Sequence, residues 1–185
     1  RDIARSSSFS QQLAGPILVV PFRKTVRVWK TDPKTNERFQ ETAQERGDLH
    51  FLPDRFELDG KVQTELRSRG IYEARLFHAD NRVSGHFAVP EFFGITEDFA
   101  DYQFDAPFLS VGISDIRGIE NALKLQLDDQ QLDFVPGSRL QWLGEGVSAS
   151  LPVLDGKLAR QLNFAFDLKL QGTESLRVLP VGKSS

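Results

Sequence analysis

The chain has 185 residues, a formal net charge of −3 at pH 7 and no cysteine. Its content of 39% hydrophobic and 26% charged residues is typical of a folded domain and excludes a disordered chain. The small net charge gives no electrostatic basis for a nucleic-acid partner, and the absence of cysteine excludes thiol nucleophiles, disulfide bonds and cysteine metal sites.

The first half of the chain predicts strands joined by short turns. Residues Asp2 to Leu13 predict a polar helix or a frayed arm. Ile17 to Trp29 and Glu37 to Thr42 flank the turn-forming residues 32–36, which indicates a hairpin. The dipeptide Asp59-Gly60, between short alternating runs, indicates a second hairpin.

The middle of the chain continues this pattern. Residues 71–77 and 82–89 flank Ala79-Asp80-Asn81, which indicates a third hairpin. Thr96 to Tyr102 predicts a turn or two of helix with Thr96 as its N-cap. Apolar positions alternate in residues 123–134 on both sides of Asp128-Asp129-Gln130, which indicates a fourth hairpin.

The clearest strand lies near the C-terminus, where large apolar residues occupy every second position and therefore share one face. These residues are Leu162, Phe164, Phe166, Leu168 and Leu170. Strand signals at such short spacing, with no linker between them, predict a single, mainly β domain. We expect an antiparallel β-sandwich or open barrel with one or two short helices.

The first candidate interaction site is the stretch from Glu91 to Phe104, in which aromatic and acidic residues interleave without a clean period. If exposed, Phe92, Phe93, Phe99 and Tyr102 would form an adhesive patch for a protein partner or the bilayer surface. The favoured interpretation is that the phenyl rings pack under a sheet.

Arginines provide candidate anion ligands. Arg67, Arg69 and Arg75 share one face if the strand that carries them is uninterrupted. Such a row suits a glycolipid phosphate or a partner's carboxylates, whereas a solvated sheet face is the commoner use. Arg117 is a further candidate, although pairing with an acid or capping of exposed carbonyls is favoured for it.

The sequence offers little for catalysis or metal binding. If the chain turns at residues 79–81, His78 and His86 approach each other across the turn and Asp80 adds an oxygen donor. A zinc site, however, usually takes three or four protein ligands and a supporting shell. Gly112-Ile113-Ser114 begins like a nucleophile elbow and lacks the second glycine. We therefore predict no enzymatic activity, no metal and no cofactor.

Several segments together resemble a known family. They are Gly15-Pro16-Ile17-Leu18-Val19-Val20-Pro21, Phe51-Leu52-Pro53, Arg69-Gly70-Ile71-Tyr72-Glu73, Ser114-Asp115-Ile116-Arg117-Gly118-Ile119 and Gly172-Thr173…Leu176…Leu179-Pro180…Gly182. In this order they resemble the extracytoplasmic part of the CreD family, bacterial inner-membrane proteins associated with cell-envelope integrity.

The resemblance implies an inner-membrane protein whose present segment faces the periplasm. A transmembrane helix would precede Arg1 and further ones would follow Ser185. Residues 1–14 then form an arm or a short helix after the first membrane segment. Residues 15–185 form a single β domain, complete or cut short at its C-terminus. If it is cut short, the last strand, Leu176 to Val181, would have an unpaired edge and the chain would self-associate weakly.

The implied role is non-enzymatic and concerns envelope integrity or stress response. The implied partners are the remaining membrane segments of the same polypeptide and an envelope protein or lipid. The alternative is a lipid- or glycan-binding β module that holds an apolar ligand between its sheets.

Overall fold

The computed structural model describes residues 2–7 and 13–179. These residues form strands β1 Asp2–Ser7, β2 Leu13–Thr31, β3 Arg38–Phe51, β4 Arg55–Arg69, β5 Tyr72–Val89, β6 Tyr102–Phe104, β7 Phe108–Ile113, β8 Lys124–Leu127, β9 Gln130–Asp133, β10 Val135–Pro136, β11 Gly146–Ser150 and β12 Arg160–Leu179. Short 3₁₀ turns span Glu91–Gly94, Phe99–Asp101, Ile116–Gly118 and Gln141–Leu143.

The strands form two six-stranded sheets. Sheet A has the order β4-β5-β12-β8-β9, with β1 also paired to β12. Sheet B has the order β10-β11-β7-β2-β3, with β6 also paired to β2. Every pairing is antiparallel, and neither sheet closes on itself. The predicted mainly β, sandwich-like fold is therefore confirmed.

The core lies between the two sheets. As predicted, the apolar positions of β12 from Leu162 to Leu170 are buried on one face. They join one cluster with Leu18, Leu109 and Val111 of sheet B. Because alternate residues of a strand share a face, the apolar residues of β12 all face sheet B and form a continuous contact between the two sheets.

A second, smaller apolar cluster covers the outer face of sheet B. It contains Ile17, Val19, Phe108 and Leu140, with Leu143 packed against it. Residues 138–144 thus close the outer face of the sheet, and this explains why β7 is buried on both sides.

Two predicted turns are wrong, because the strands that contain them continue. β4 passes through Asp59-Gly60, and β5 passes through Ala79–Asn81 without a break in register. The chain turns instead at Gly70-Ile71, between paired Arg69 and Tyr72. Gly70 has φ of 62°, a left-handed conformation that glycine adopts without steric penalty. β4 and β5 therefore form one long hairpin.

The ends of the domain also differ from expectation. Asp2–Ser7 is a strand paired with β12, so the predicted N-terminal helix is wrong for these residues; residues 8–12 lie outside the described ones. In β12, Leu176 pairs with Arg5 on one side and Glu73 on the other. The predicted unpaired edge is therefore wrong at Leu176, and Pro180 and Val181 lie outside the described residues.

The predicted helix over Thr96 to Tyr102 is reduced to the 3₁₀ turn Phe99–Asp101. Its N-cap residue is Asp98 rather than Thr96. The predicted hairpin around residues 128–130 is confirmed as β8 and β9.

Candidate interaction surfaces

The aromatic stretch after β5 forms an interlocked cluster of rings. Phe93 is buried, and its ring centroid lies 4.7 Å from that of Phe104 and 6.2 Å from that of Phe51. Phe92 and Phe93 both have left-handed backbone angles, with φ of 55° and 53°. Bulky residues rarely adopt this conformation, so surrounding contacts have to hold it. The favoured interpretation of packed phenyl rings is thus correct for Phe93.

The other candidate aromatic residues keep part of their surface in solvent. The ring of Phe92 lies 4.9 Å from that of Phe99 in an edge-to-face arrangement. Tyr102 is half-buried, with the ring of Phe22 at 5.2 Å and Nζ of Lys24 at 5.1 Å. Phe92, Phe99 and Tyr102 remain a predicted partner surface, whereas Phe93 has too little exposed area to contribute.

The three arginines around the β4–β5 turn do not share a face. Arg67 and Arg69 lie two residues apart on β4 and point the same way. Arg75 pairs with Leu66, which is on the opposite face of β4. The chain reversal at Gly70-Ile71 interrupts the strand on which the prediction depended, so the predicted three-arginine row is wrong.

Arg117 is fixed by Asp115 within the same turn. Its Nε and Nη2 donate to Oδ1 and Oδ2 of Asp115 at 2.9 and 3.1 Å, and its backbone N–H donates to Oδ1 at 3.0 Å. The side-chain hydrogen bond, followed by the backbone one, lowers the pKa of Asp115 below its ordinary value. The same side-chain hydrogen bond raises the pKa of Arg117. This geometry confirms the pairing with an acid that was favoured for Arg117.

An open groove of about 620 Å³ lies beside this turn, lined by Asp115, Arg117, Gly118, Ile119, Glu120, Gln171 and Gly172. Two carboxylates and one guanidinium line it, so its charge does not favour an anion. The Arg117 side chain is 89% exposed. Its role as an anion ligand therefore stays a prediction without support from the groove.

The two candidate histidines lie far apart. His78 and His86 are on the uninterrupted strand β5, eight residues apart, which corresponds to about 27 Å. Nδ1 of His78 lies 3.2 Å from Oε1 of Glu120. In residues 2–7 and 13–179, no three His, Cys, Asp or Glu side chains are grouped so that they could hold a metal ion. The hypothesis that the histidines meet across a turn is wrong.

Two exposed apolar surfaces were not predicted from the sequence. The first is the β2–β3 arm, residues 27–46, where nearly every residue is exposed. Trp29 is 57% exposed and Phe39 is 44% exposed, and Val28 is also exposed. The Arg38 guanidinium lies 5.2 Å from the Trp29 ring centroid. The alternation of these strands was visible in the sequence, but their extension beyond the core was not.

The second surface is an apolar row on β4 that consists of Phe56, Leu58, Val62 and Leu66, all exposed. Leu58 pairs with Val83 of β5, a buried core residue. Paired residues of an antiparallel sheet share a face, so the row lies on the core side of sheet A, beyond the area that sheet B covers.

Comparison with known proteins identifies the family. The sequence profile described as "Inner membrane protein CreD" matches residues 1–185. The chain belongs to the CreD family. It is 30% identical over 184 residues to the protein named "Inner membrane protein CreD" of Escherichia coli (strain K12). The alignment covers 99% of this chain and 39% of that protein. No solved structure gives a significant match.

The CreD match confirms the resemblance seen in the sequence and identifies a CreD-like inner-membrane protein. Among the described residues, none of the helical segments has the length and apolar character needed to cross a membrane. The first CreD-like segment, which starts at Gly15, lies near the beginning of β2. There Gly15 has φ of 95°, and the register with β7 shifts between Ala14 and Ile17. A β-carbon on Gly15 would approach the carbonyl oxygen of Ser110 to 3.0 Å.

Proposed function

We propose that this chain is a non-enzymatic periplasmic domain of a CreD-like inner-membrane protein that acts in envelope integrity or stress response. It does so by contact with an envelope protein through the β2–β3 arm. The exposed apolar side chains of this arm, Val28, Trp29 and Phe39, are the observation that carries the proposal.

The arm has the chemistry of a protein-binding surface. Val28 and Phe39 lie on one face, because Val28 pairs with Glu41 and Phe39 pairs with Lys30 two residues further along β2. Trp29 projects from the other face. Lys30 and Glu41 form an ion pair of 2.5 Å beside the apolar side chains. On the other face, the Arg38 guanidinium lies 5.2 Å from the Trp29 ring centroid, and tryptophan and arginine are enriched among the residues that dominate binding energy at interfaces.

The interior favours an interaction domain over the lipid- or glycan-binding alternative. Ring centroids in the core lie close together, 5.1 Å apart for Phe87 and Phe164 and 5.3 Å apart for Phe134 and Phe166. These rings fill the space between the sheets that an apolar ligand would need.

The absence of an activity is part of the proposal and is supported by the chemistry of the groove beside Asp115. In the part of the chain that the structure describes, Asp115 and Arg117 are the groups with shifted pKa values, and they are on the surface and bind each other. Their mutual bonds account for these shifts. Turnover of generic ester, phosphate or peptide substrates that is lost in Asp115→Asn would overturn the non-enzymatic part.

The periplasmic location can be tested by thiol labelling, because the chain contains no cysteine. Leu158 is 67% exposed, and Leu158→Cys in the whole membrane protein should react with a membrane-impermeant maleimide in spheroplasts. The protein without this substitution is the blank, and lysed cells give total labelling. Labelling of the introduced thiol only after lysis would show that the domain faces the cytoplasm and would overturn the location.

The interaction role can be tested by site-specific photo-crosslinking in cells. A photoreactive residue at Trp29 should give a discrete adduct with an envelope protein, and one at the similarly exposed Leu158 should not. Serine at Val28, Trp29 and Phe39 together should weaken resistance to envelope-targeting agents without lowering protein level. Equal adducts at both positions, or unchanged resistance to these agents, would contradict the proposal that the β2–β3 arm binds an envelope protein.

A further inference from the structure

We propose that β4 pairs in antiparallel fashion with β4 of a second copy of this chain. The observation behind it is the position of β4 at the edge of sheet A. Of the strands in residues 2–7 and 13–179, only β5 pairs with β4. The other edge of β4 therefore presents backbone N–H and C=O groups that another strand can bind.

This edge lacks two features that often protect an edge strand, a proline and a β-bulge. β4 is 15 residues long and contains no proline. Its register with β5 is unbroken from Arg55–His86 to Arg69–Tyr72, so no bulge twists the edge away. A long, regular edge is a ready template for strand addition.

The core-side face of β4 gives the pairing a hydrophobic component. Phe56, Leu58 and Val62 are exposed on this face, and Leu58 is 52% exposed. A strand added beside them would bury apolar area and extend the core face of sheet A. Because Gly60 lies between Leu58 and Val62, a two-fold axis at Gly60 would set Leu58 of one copy opposite Val62 of the other.

Charges on the opposite face of β4 select the same register. With the axis at Gly60, Asp59 lies opposite Lys61, and Arg55 lies opposite Glu65. Each pair occurs twice in the dimer because of the two-fold symmetry. All four cross-strand charge pairs are therefore of opposite sign, which stabilises the pairing.

Neighbouring registers are less favourable. A two-fold axis at Lys61 sets Glu57 opposite Glu65 and Arg55 opposite Arg67. An axis at Asp59 sets this carboxylate opposite its own copy. Like charges that face each other directly destabilise a strand pair.

A register centred on Gln63 keeps opposite charges together but loses the apolar contacts. It sets Leu58 opposite Ser68 and Leu66 opposite Gly60. The register centred on Gly60 is thus the one that satisfies both faces, and this self-complementarity identifies a second copy as the occupant.

The edge of sheet B does not offer the same surface. On β3, the face that pairs with Val28 and Lys24 carries Glu41 and Glu45. On the edge strand β3, carboxylates therefore stand at alternate positions of one face, where β4 carries apolar side chains. The proposed dimer forms through β4, independently of the proposed periplasmic location and of the β2–β3 arm.

Sedimentation equilibrium of the 185-residue chain tests the dimer. We expect a reversible monomer–dimer equilibrium whose dissociation constant rises by roughly tenfold in Leu58→Ser. Val135→Ser is the matched control, because Val135 has similar exposure on β10, an edge strand of sheet B. A monomer at millimolar concentration, or equal weakening by both substitutions, would overturn the proposal.

Charge exchange tests the register. Asp59→Lys and Lys61→Asp should each weaken the dimer, and the double variant should restore it. Within the monomer Asp59 faces Arg82 and Lys61 faces Asp80, so circular dichroism and thermal unfolding have to verify that each variant folds. A folded double variant that stays as weak as the single ones would overturn this register.

Disulfide trapping gives a second measure that needs no charge change. Leu58→Cys/Val62→Cys should form covalent dimers under mild oxidation, since the two positions face each other across the axis. Each single variant should stay uncrosslinked, because its own copies lie about 13 Å apart along the strand. Crosslinking of Val62→Cys alone would show an axis at residue 62 and would overturn the register.

Discussion

Gly156 lies directly against the ring of Phe93, and a β-carbon at residue 156 would overlap the ring atoms Cδ2 and Cε2. The loop before β12 can therefore close over the aromatic cluster only with glycine at this position. Phe93 in turn is held in a left-handed backbone conformation by the contacts around its ring.

Gly156→Ala should destabilise the domain by about 1–3 kcal/mol, because the added methyl group overpacks the contact with Phe93. Urea unfolding measures this change. Phe93→Leu reduces the ring to a smaller side chain, so Gly156→Ala should cost less in that background. Additive effects of the two substitutions would contradict direct contact.

Phe166→Ala should destabilise the domain by about 3–5 kcal/mol, because Phe166 is buried in the core against Phe134. Leu158→Ala is the control and should change stability by less than about 0.5 kcal/mol, since Leu158 is exposed. Chemical unfolding of both variants gives the comparison. Equal midpoints would be incompatible with the core described for β12.

Ser138→Ala should loosen the segment that covers the outer face of sheet B. The buried Oγ of Ser138 lies 2.6 Å from the carbonyl oxygen of Gly144, and it accepts from the backbone N–H of Leu140 at 3.3 Å. Loss of these bonds should destabilise the fold by about 1–3 kcal/mol.

Hydrogen exchange provides the local measurement for Ser138→Ala. The amides of residues 140–144 should exchange faster than in the unchanged protein, and those of β12 should change less. Ser150→Ala at an exposed position is the control. Unchanged protection at residues 140–144 would show that Ser138 does not hold this segment.

Arg117→Gln should raise the pKa of the Asp115 carboxyl toward its ordinary value, because the side-chain hydrogen bond that lowers it is lost. The backbone N–H of residue 117 still donates, so the pKa should stay somewhat low. Carboxyl-carbon NMR titration measures this, with Arg82→Gln as the control. An unchanged Asp115 pKa in Arg117→Gln would contradict the observed pairing.

The sign of the pH dependence follows from the direction of the shift. Because the pKa of Asp115 is lower in the folded state than in the unfolded state, the pair stabilises the fold at neutral pH. This contribution is lost as the pH falls through the folded-state pKa. The pair is exposed, so salt should also weaken it.

The sequence correctly predicted the strands in which the alternation of apolar residues matches their burial in the core. Leu162 to Leu170 alternate and are all directed into the core, and the β8–β9 hairpin turns where Asp128 and Asp129 indicated. The Asp59-Gly60 signal failed because local turn propensity was outweighed by continuous pairing with β5. In that strand Asn81 lies beside Gly60, so a residue with a β-carbon would collide with its amide oxygen.

The candidate surfaces were harder to predict because exposure depends on where the opposite sheet ends. Phe56 and Leu58 alternate as regularly as Phe164 and Phe166, yet only the latter pair is buried. The arginine row failed for a related reason, since its geometry depended on the position of the turn at Gly70.

The ladder between β5 and β12 has a mechanical consequence. Every residue from Arg160 to Arg177 has a partner on β5, with no slip in register. A force along β12 would load the hydrogen bonds between β5 and β12 together, in shear. A force across the sheet would break them one after another. The domain should accordingly be stiff along this strand and compliant across it, which makes β12 suited to carry a pull straight into the core.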